Sequence, residues 1–205
     1  LPGVVRDALW ARAGGGQATE LRPISPISLG QMFACVAYQD FMDNTPGDAQ
    51  RVAACRHHLP GIQAVEYLSR VHLQDNNVPP SFREGIARLS TSVWMSRSWT
   101  KDEFLNTLAE RGGFGSGFRG VDAAAKGYFN RVVSELTLAQ AAMIAALAAD
   151  RQVDPWCQPE TAATMRLRVL ESMRDTKAID EAAFDAASRS ELGLTARPAD
   201  FKPCE

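Results

Sequence analysis

The sequence predicts a mainly α-helical domain, and three observations carry that expectation. Leu138 to Ala149 is almost entirely Ala, Leu, Ile and Met, and a helix that is apolar all round is a buried one. Thr100-Lys101-Asp102-Glu103 and Thr137-Leu138-Ala139-Gln140 both carry capping-box spacing. There a hydroxyl satisfies the orphan N–H three residues on while the Glu or Gln reaches back. No segment shows the sustained period-2 alternation of a half-buried strand. Between the two caps, Arg111 to Gly117 holds four glycines in seven residues, which suits an ordered bend.

In chain order, Val4 to Ala13 reads as a short helix ended by Gly14-Gly15-Gly16. Pro23 and Pro26 force extended chain. Ser28 and Gln31 form a further capping-box pair opening a helix toward Phe41, and Asp43 to Gly47 is a turn cluster. Asp48 to His58 reads as helical and is broken by Leu59-Pro60-Gly61. Ile62 to Leu73 has apolar residues at Ile62, Val65, Leu68 and Val71. Ser81 and Glu84, placed after Pro79-Pro80, start a helix that runs to about Arg97. The Thr100 helix, the glycine bend, a Val121 to Phe129 helix and the buried helix follow. Asp150 to Pro159 is a loop, Thr161 to Arg174 and Ile179 to Ser188 are amphipathic helices, and Pro198 to Glu205 is a tail.

The chain has 205 residues, 45% hydrophobic and 22% charged, with a net charge of −2. This fits one folded domain with a sizeable core, divided here into a small lobe over 1–60 and a helical main lobe over 61–190. The near-neutral charge gives no bulk electrostatic case for nucleic acid. No apolar run reaches the roughly 18–20 residues a membrane span needs. The chain opens at Leu1 without Met and without a signal segment, as a chain trimmed at that end would. The four cysteines, Cys35, Cys55, Cys157 and Cys204, allow three pairings. Cys35 with Cys55 and Cys157 with Cys204 is the simplest; free or buried thiols are the alternative. Cys55-Arg56-His57-His58 lacks a second ligand pair at metal spacing, so no metal and no cofactor is expected.

The stretch from Ser98 to Met173 resembles the C-terminal half of the family 51 glycosyltransferase domain, the peptidoglycan polymerase module of bifunctional penicillin-binding proteins. The likeness rests on Thr100 to Leu105, Gly113-Phe114-Gly115, Gly120 to Ala125, Tyr128-Phe129 and Leu136 to Leu147. It continues through Asp154-Pro155, Pro159-Glu160 and Arg168 to Met173. Each motif is short; their order and spacing carry the specificity. The resemblance implies a lysozyme-like helical domain with a small irregular N-terminal lobe. It also implies a periplasmic or extracytoplasmic location, where disulfides form. The implied partners are a peptidoglycan glycan strand or lipid-linked precursor and cell-wall synthesis proteins, with a membrane anchor outside this chain.

The chemistry of that family needs a base for the attacking hydroxyl and stabilisation of the leaving pyrophosphate. The family's "EDxxFxxHxG" element is nearest to Ala37 to Phe41, which places Gln39 where the family has Glu. The candidate acids are then Asp40, whose carboxylate is set back by about one methylene, and Glu66 beside Tyr67. The family's "GGSTITQQ" motif has its nearest counterpart in Leu59 to Glu66. Counting back from Lys101, two later acidic positions of the family become Arg88 and Ser96, and two further polar ones become Asn106 and Glu110. Glu84 and Glu103 read as cap partners. Arg88, Arg111, Arg119 and Lys126 are the expected phosphate-binding residues, since guanidinium matches phosphate geometry; surface charge is the plainer alternative for them. Phe114, Phe118, Tyr128 and Phe129 read as core, and Trp94, Trp99 and Trp156 as packing residues of which one lines a groove. The expected function is a degenerate polymerase domain that binds glycan or precursor. The alternatives are a muramidase with a relocated acid, an active but divergent polymerase, and a protein-interaction module.

Overall fold

The computed structural model describes residues 1–21, 23–25, 27, 65, 68–69, 71–72, 82–148, 153–198, 201 and 204; within 82–98 it describes the side chains of 87 and 90–98. The elements are α1 (Gly3–Arg12), α2 (Phe82–Ser98), α3 (Lys101–Arg111), α4 (Val121–Phe129), a 3-10 turn (Val133–Glu135), α5 (Leu138–Leu147), α6 (Pro159–Asp175) and α7 (Glu181–Arg189). Among the described residues there is no strand, only an isolated antiparallel bridge between Gly113 and Arg119. The mainly α expectation holds. The chain forms two compact units, residues 1–19 with 101–205, and residues 20–100.

In the first unit α5 is the central element. Ala139 and the run from Ala141 to Leu147 are buried on every side. Alanine at five of these positions lets backbones approach closely, and α1 and α6 both pack on this helix. The predicted capping box at its start is complete. Gln140 N–H donates to Thr137 Oγ1 at 3.3 Å, and Thr137 N–H donates to Gln140 Oε1 at 3.1 Å. The Gln140 amide also donates to the Leu192 carbonyl at 2.9 Å, which ties the cap to the residues after α7.

Helix α1 buries Val5, Ala8 and Leu9. Its Trp10 stands edge-on to Phe104 of α3 at 6.4 Å, lies under the Lys101 ammonium at 4.4 Å, and donates Nε1–H to Ala18 O at 3.1 Å. Arg6 pairs with Asp102. Helix α3 buries Phe104, Leu105, Leu108 and Ala109, the i, i+1, i+4, i+5 pattern of a single buried face. Each large apolar side chain removed from water in this way contributes about 1.5–3 kcal/mol. Helix α6 begins two residues earlier than the sequence suggests, because Pro159 takes the first helical position, where its missing N–H costs nothing. It buries Ala162, Val169, Leu170 and Met173. Helix α7 is capped by Asp180, which accepts from Ala183 N–H at 2.7 Å. Its C-terminal end is held by Arg166, whose guanidinium donates to Ser188 O and Ser190 O at 3.0 and 3.1 Å.

In the second unit, Val65, Leu68, Ser69, Val71 and His72 are helical, within the predicted Ile62 to Leu73 segment. Helix α2 begins at Phe82, directly after Ser81. Ser92 donates to Ser69 Oγ at 2.9 Å in a buried hydroxyl pair. Ser96 is also buried; it accepts the Ile24 N–H at 2.9 Å and donates to Val93 O at 2.8 Å. Arg97 donates to Ile24 O at 3.3 Å, so both backbone groups of Ile24 are bound from one helix turn. Trp94 departs from the packing role expected of it: it is 52% exposed and meets Trp99 edge-on at 6.1 Å.

Candidate functional site

The glycine-rich stretch after α3 is an ordered bend. Gly112 N–H closes the helix on Leu108 O at 2.8 Å. Phe114 N–H donates to Phe118 O at 3.0 Å, Phe118 N–H to Gly115 O at 2.9 Å, and Gly120 N–H to Gly112 O at 2.9 Å. Four residues of this loop have positive φ: Gly115, Ser116, Gly117 and Gly120. At Gly115 (φ 71°) a Cβ would sit 2.8 Å from both the Tyr128 hydroxyl and Val153 O. Glycine is therefore required there on conformational and steric grounds. Ser116 adopts φ 45° without being glycine, a conformation that persists only where the surroundings fix it.

Tyr128 provides that fixation. It is fully buried, and its hydroxyl donates to Phe114 O at 2.9 Å and lies 3.0 Å from Ser116 Oγ. A phenol has one proton, so the serine hydroxyl donates in return. Burial pushes the Tyr128 phenol well above its ordinary range; the Ser116 hydrogen bond opposes this and the Asp154 charge adds to it. Around Tyr128 lie Phe118 and Trp156, each with its ring centroid at 4.9 Å. Phe118, half-buried, is the outer wall of the cluster. Gly127 leaves space for it, since a Cβ there would lie 2.1 Å from the Phe118 ring.

The segment after α7 straps this cluster in place. Thr195 N–H donates to Tyr128 O at 2.8 Å and its hydroxyl to Gly127 O at 2.7 Å, which satisfies two carbonyls at the end of α4. Trp156 Nε1–H donates to Thr195 O at 2.8 Å. Arg197 pairs with Asp154 at 3.2 Å, and Asp154 also accepts the Trp156 N–H at 3.0 Å. Phe201 meets both Trp156 and Phe118, at 5.7 and 5.8 Å. The Cys157–Cys204 disulfide, with Cα atoms 5.3 Å apart, closes the strap. This is the pairing expected of those two residues; the other expected pair, Cys35 with Cys55, lies outside the described residues. Sequence reasoning did not find Thr195, Phe201 or Arg197, and the Cys157 and Cys204 pair is the signal that points to them.

The predicted basic residues occupy this scaffold unequally. Arg111 ends α3, Arg119 lies opposite Gly113 in the bridge, and both are exposed. Lys126 is exposed in the second turn of α4. The bend thus brings Arg111 and Arg119 to the two arms of one loop. Glu110 and Asn106 are exposed on α3. Ser96 is a tether for Ile24, with its hydroxyl used in two hydrogen bonds. Arg88 lies on α2, and its side chain is outside the described residues, as are Gln39, Asp40 and Glu66. Phe114, Tyr128 and Phe129 are buried as expected. Among the described residues no helix is long and apolar enough to cross a membrane.

A family model described as a transglycosylase matches residues 66–174, just over half of the chain. Penicillin-binding protein 1A of Mycolicibacterium smegmatis is 38% identical over 99 residues, which cover 48% of this chain and 13% of that protein. Its counterpart in Mycobacterium tuberculosis is 40% identical over 86 residues, covering 42% of this chain and 10% of that protein. The matched part therefore spans about a tenth of the length of these relatives. A crystal structure of penicillin-binding protein 1A from Haemophilus influenzae aligns over 71% of this chain and 18% of its own, with a TM-score of 0.45 and 23% identity. With its helical elements and the family match running through the glycine bend, the buried helix and most of α6, this chain belongs to the transglycosylase family.

Proposed function

We propose that this domain binds a peptidoglycan glycan strand or its lipid-linked precursor and polymerises it weakly or not at all. The observation that carries the reading is a contrast within one chain. The transglycosylase match runs through residues 66–174. On the resemblance read from the sequence, we infer that Gln39 falls where the family has its Glu, and that Arg88 and Ser96 fall at later acidic positions. An amide does not take a proton from a hydroxyl near neutral pH, and a guanidinium is always charged. Ser96 supports the reading further, because its hydroxyl is buried and serves the backbone of Ile24 and Val93.

Binding falls to the cations. Arg111 and Arg119 are exposed on the two arms of a bend held by Tyr128, and Lys126 is exposed on the adjoining helix. These three are the cations we assign to the precursor's pyrophosphate; Arg88, on α2, is a separate candidate from the sequence. A rigid loop positions such groups at lower entropic cost than a mobile one. The disulfide fits an oxidising compartment, which agrees with an extracytoplasmic place beside cell-wall synthesis proteins.

The test is incubation of the full chain with lipid-linked disaccharide peptide. Precursor binding that weakens about tenfold in Arg111→Ala or Arg119→Ala, with no growth of glycan chains, is expected. Robust chain growth overturns the degenerate reading and assigns a divergent, active polymerase. Clearing of cell-wall sacculi, abolished by Asp40→Asn or Glu66→Gln, assigns a muramidase with a relocated acid instead.

A further inference from the structure

The C-terminal end of α2 presents the one exposed indole of the chain. Trp94 is 52% exposed, whereas Trp10 is buried and Trp99 and Trp156 are half-buried. Trp99, just past the helix end, meets Trp94 edge-on, with ring centroids 6.1 Å apart and planes at 74°. Arg97 and Ser98, three and four residues on, share the helix face of Trp94 and are exposed. Arg97 is itself fixed, since its guanidinium donates to Ile24 O at 3.3 Å. One turn before Trp94, Ser90 is exposed on the same face. Ser96 lies about 200° round the helix, buried and bound to Ile24. The exposed indole is therefore on a different face of α2 from that residue.

An indole face is apolar and carries the negative side of the ring quadrupole, and its N–H is a donor at the edge. A pyranose ring is the complement of such a surface. The C–H bonds along one of its faces are apolar and slightly positive, while hydroxyl and amide groups project at its rim. A ring stacked on Trp94 covers the indole and keeps its polar groups within reach of donors on the same helix face. A helix that adsorbs to a membrane shows a broad apolar face instead; here Trp94 is flanked on its face by Ser90, Arg97 and Ser98. We propose that Trp94, held by Trp99, is a stacking platform for one N-acetylhexosamine ring of a glycan strand, with Arg97 and Ser98 as donors at its rim. The platform rests on the reading of this chain as a peptidoglycan-binding domain. It adds a contact made by α2 to those assigned to the cations of the bend.

The test titrates the full chain with a soluble, peptide-free tetrasaccharide of alternating N-acetylglucosamine and N-acetylmuramic acid, followed by calorimetry and by the NMR signals of the indole N–H groups. Saturable binding near ~1 mM is expected, with a shift of the Trp94 signal and none of the Trp10 signal. Trp94→Ala weakens binding about tenfold or more, and Trp94→Phe restores part of it. Failure to saturate by about 10 mM overturns the proposal, as does binding indifferent to Trp94→Ala. Co-sedimentation with phosphatidylglycerol vesicles that needs Trp94, while the tetrasaccharide does not bind, also overturns it and assigns a membrane contact. Lipid-linked precursor is titrated in parallel. Precursor binding that depends on Arg111, beside tetrasaccharide binding indifferent to Trp94, removes the platform and leaves the binding reading standing. Tetrasaccharide binding that needs Trp94, beside no precursor binding, keeps the platform and removes the assignment of the bend. Trp94 is half in solvent, so Trp94→Ala is expected to fold, and circular dichroism checks this. If it does not fold, the wild-type Trp94 signal decides, and an unshifted signal at saturation overturns the proposal.

Discussion

Removing one oxygen atom at Tyr128 tests the account of the glycine bend. In Tyr128→Phe the ring contacts with Phe118 and Trp156 are kept, but Phe114 O loses the donor at 2.9 Å. Ser116, half-buried, can turn its hydroxyl to water; the buried Phe114 carbonyl has no such recourse. An orphaned buried acceptor costs about 1–3 kcal/mol, and that is the expected loss at pH 7 in urea unfolding. A second effect has the opposite sign. Burial raises the folded-state pKa of Tyr128 above the unfolded value of about 10. Below pH 10 both states hold the proton and the stability contribution is intact. Above it, the unfolded state releases a proton that the native state keeps, so stability falls with pH by up to about 1.4 kcal/mol per unit. The decline begins at the unfolded pKa and continues until the folded pKa is reached. Tyr128→Phe has no such proton, so the gap between variant and wild type should narrow by about 1.4 kcal/mol between pH 9 and pH 11. Groups common to both proteins cancel in that difference. An unchanged gap across this range, together with no loss at pH 7, would refute the claim that a buried, neutral phenol fixes the bend.

Three further outcomes are expected. Thr137→Ala removes one half of the capping box and should lower stability by about 1 kcal/mol, measured by chemical denaturation; no loss would mean that Gln140, held also by Leu192, suffices alone. Cys157→Ser opens a link across 47 residues and should cost about 2–4 kcal/mol relative to the oxidised wild type, with increased solvent exposure of Trp156 read by fluorescence quenching. Gly127→Ala places a methyl where the Phe118 ring lies. The ring is confined by Tyr128, Trp156 and Phe201, so overpacking should outweigh the gain in helix propensity and lower the unfolding free energy by about 1–3 kcal/mol; a more stable variant would show that the ring moves freely.

The elements that the sequence made legible are those whose cause is local. A hydroxyl and an amide three residues apart define the start of α5 wherever the chain goes next, and the capping box at Thr137 formed as read. The unbroken apolar run after it had to be buried, since no face of it suits water. Clustered glycines announced the bend, because positive φ is costly for other residues. The basic residues at the bend were visible as a set, but the placement of Arg111 and Arg119 on its two arms was not. Arg119 joins Arg111 only because Gly113 and Arg119 bridge.

What the chain alone determined, then, was the helical class and the ordered bend, while it left the cysteine pairing open and the structure joined Cys157 to Cys204. Tertiary structure decided the roles of residues whose partners are main-chain groups far along the chain. Ser96 reads in sequence as a substituted acidic position, yet it is a tether for Ile24. Thr195 carries no sequence signal, yet it satisfies two carbonyls of α4. Arg12 and Arg168, 156 positions apart, share a cleft because α1 and α6 pack on the same helix. A backbone carbonyl is the same group at every residue, so no sequence pattern records which side chain will reach it; only the packed arrangement of the helices does.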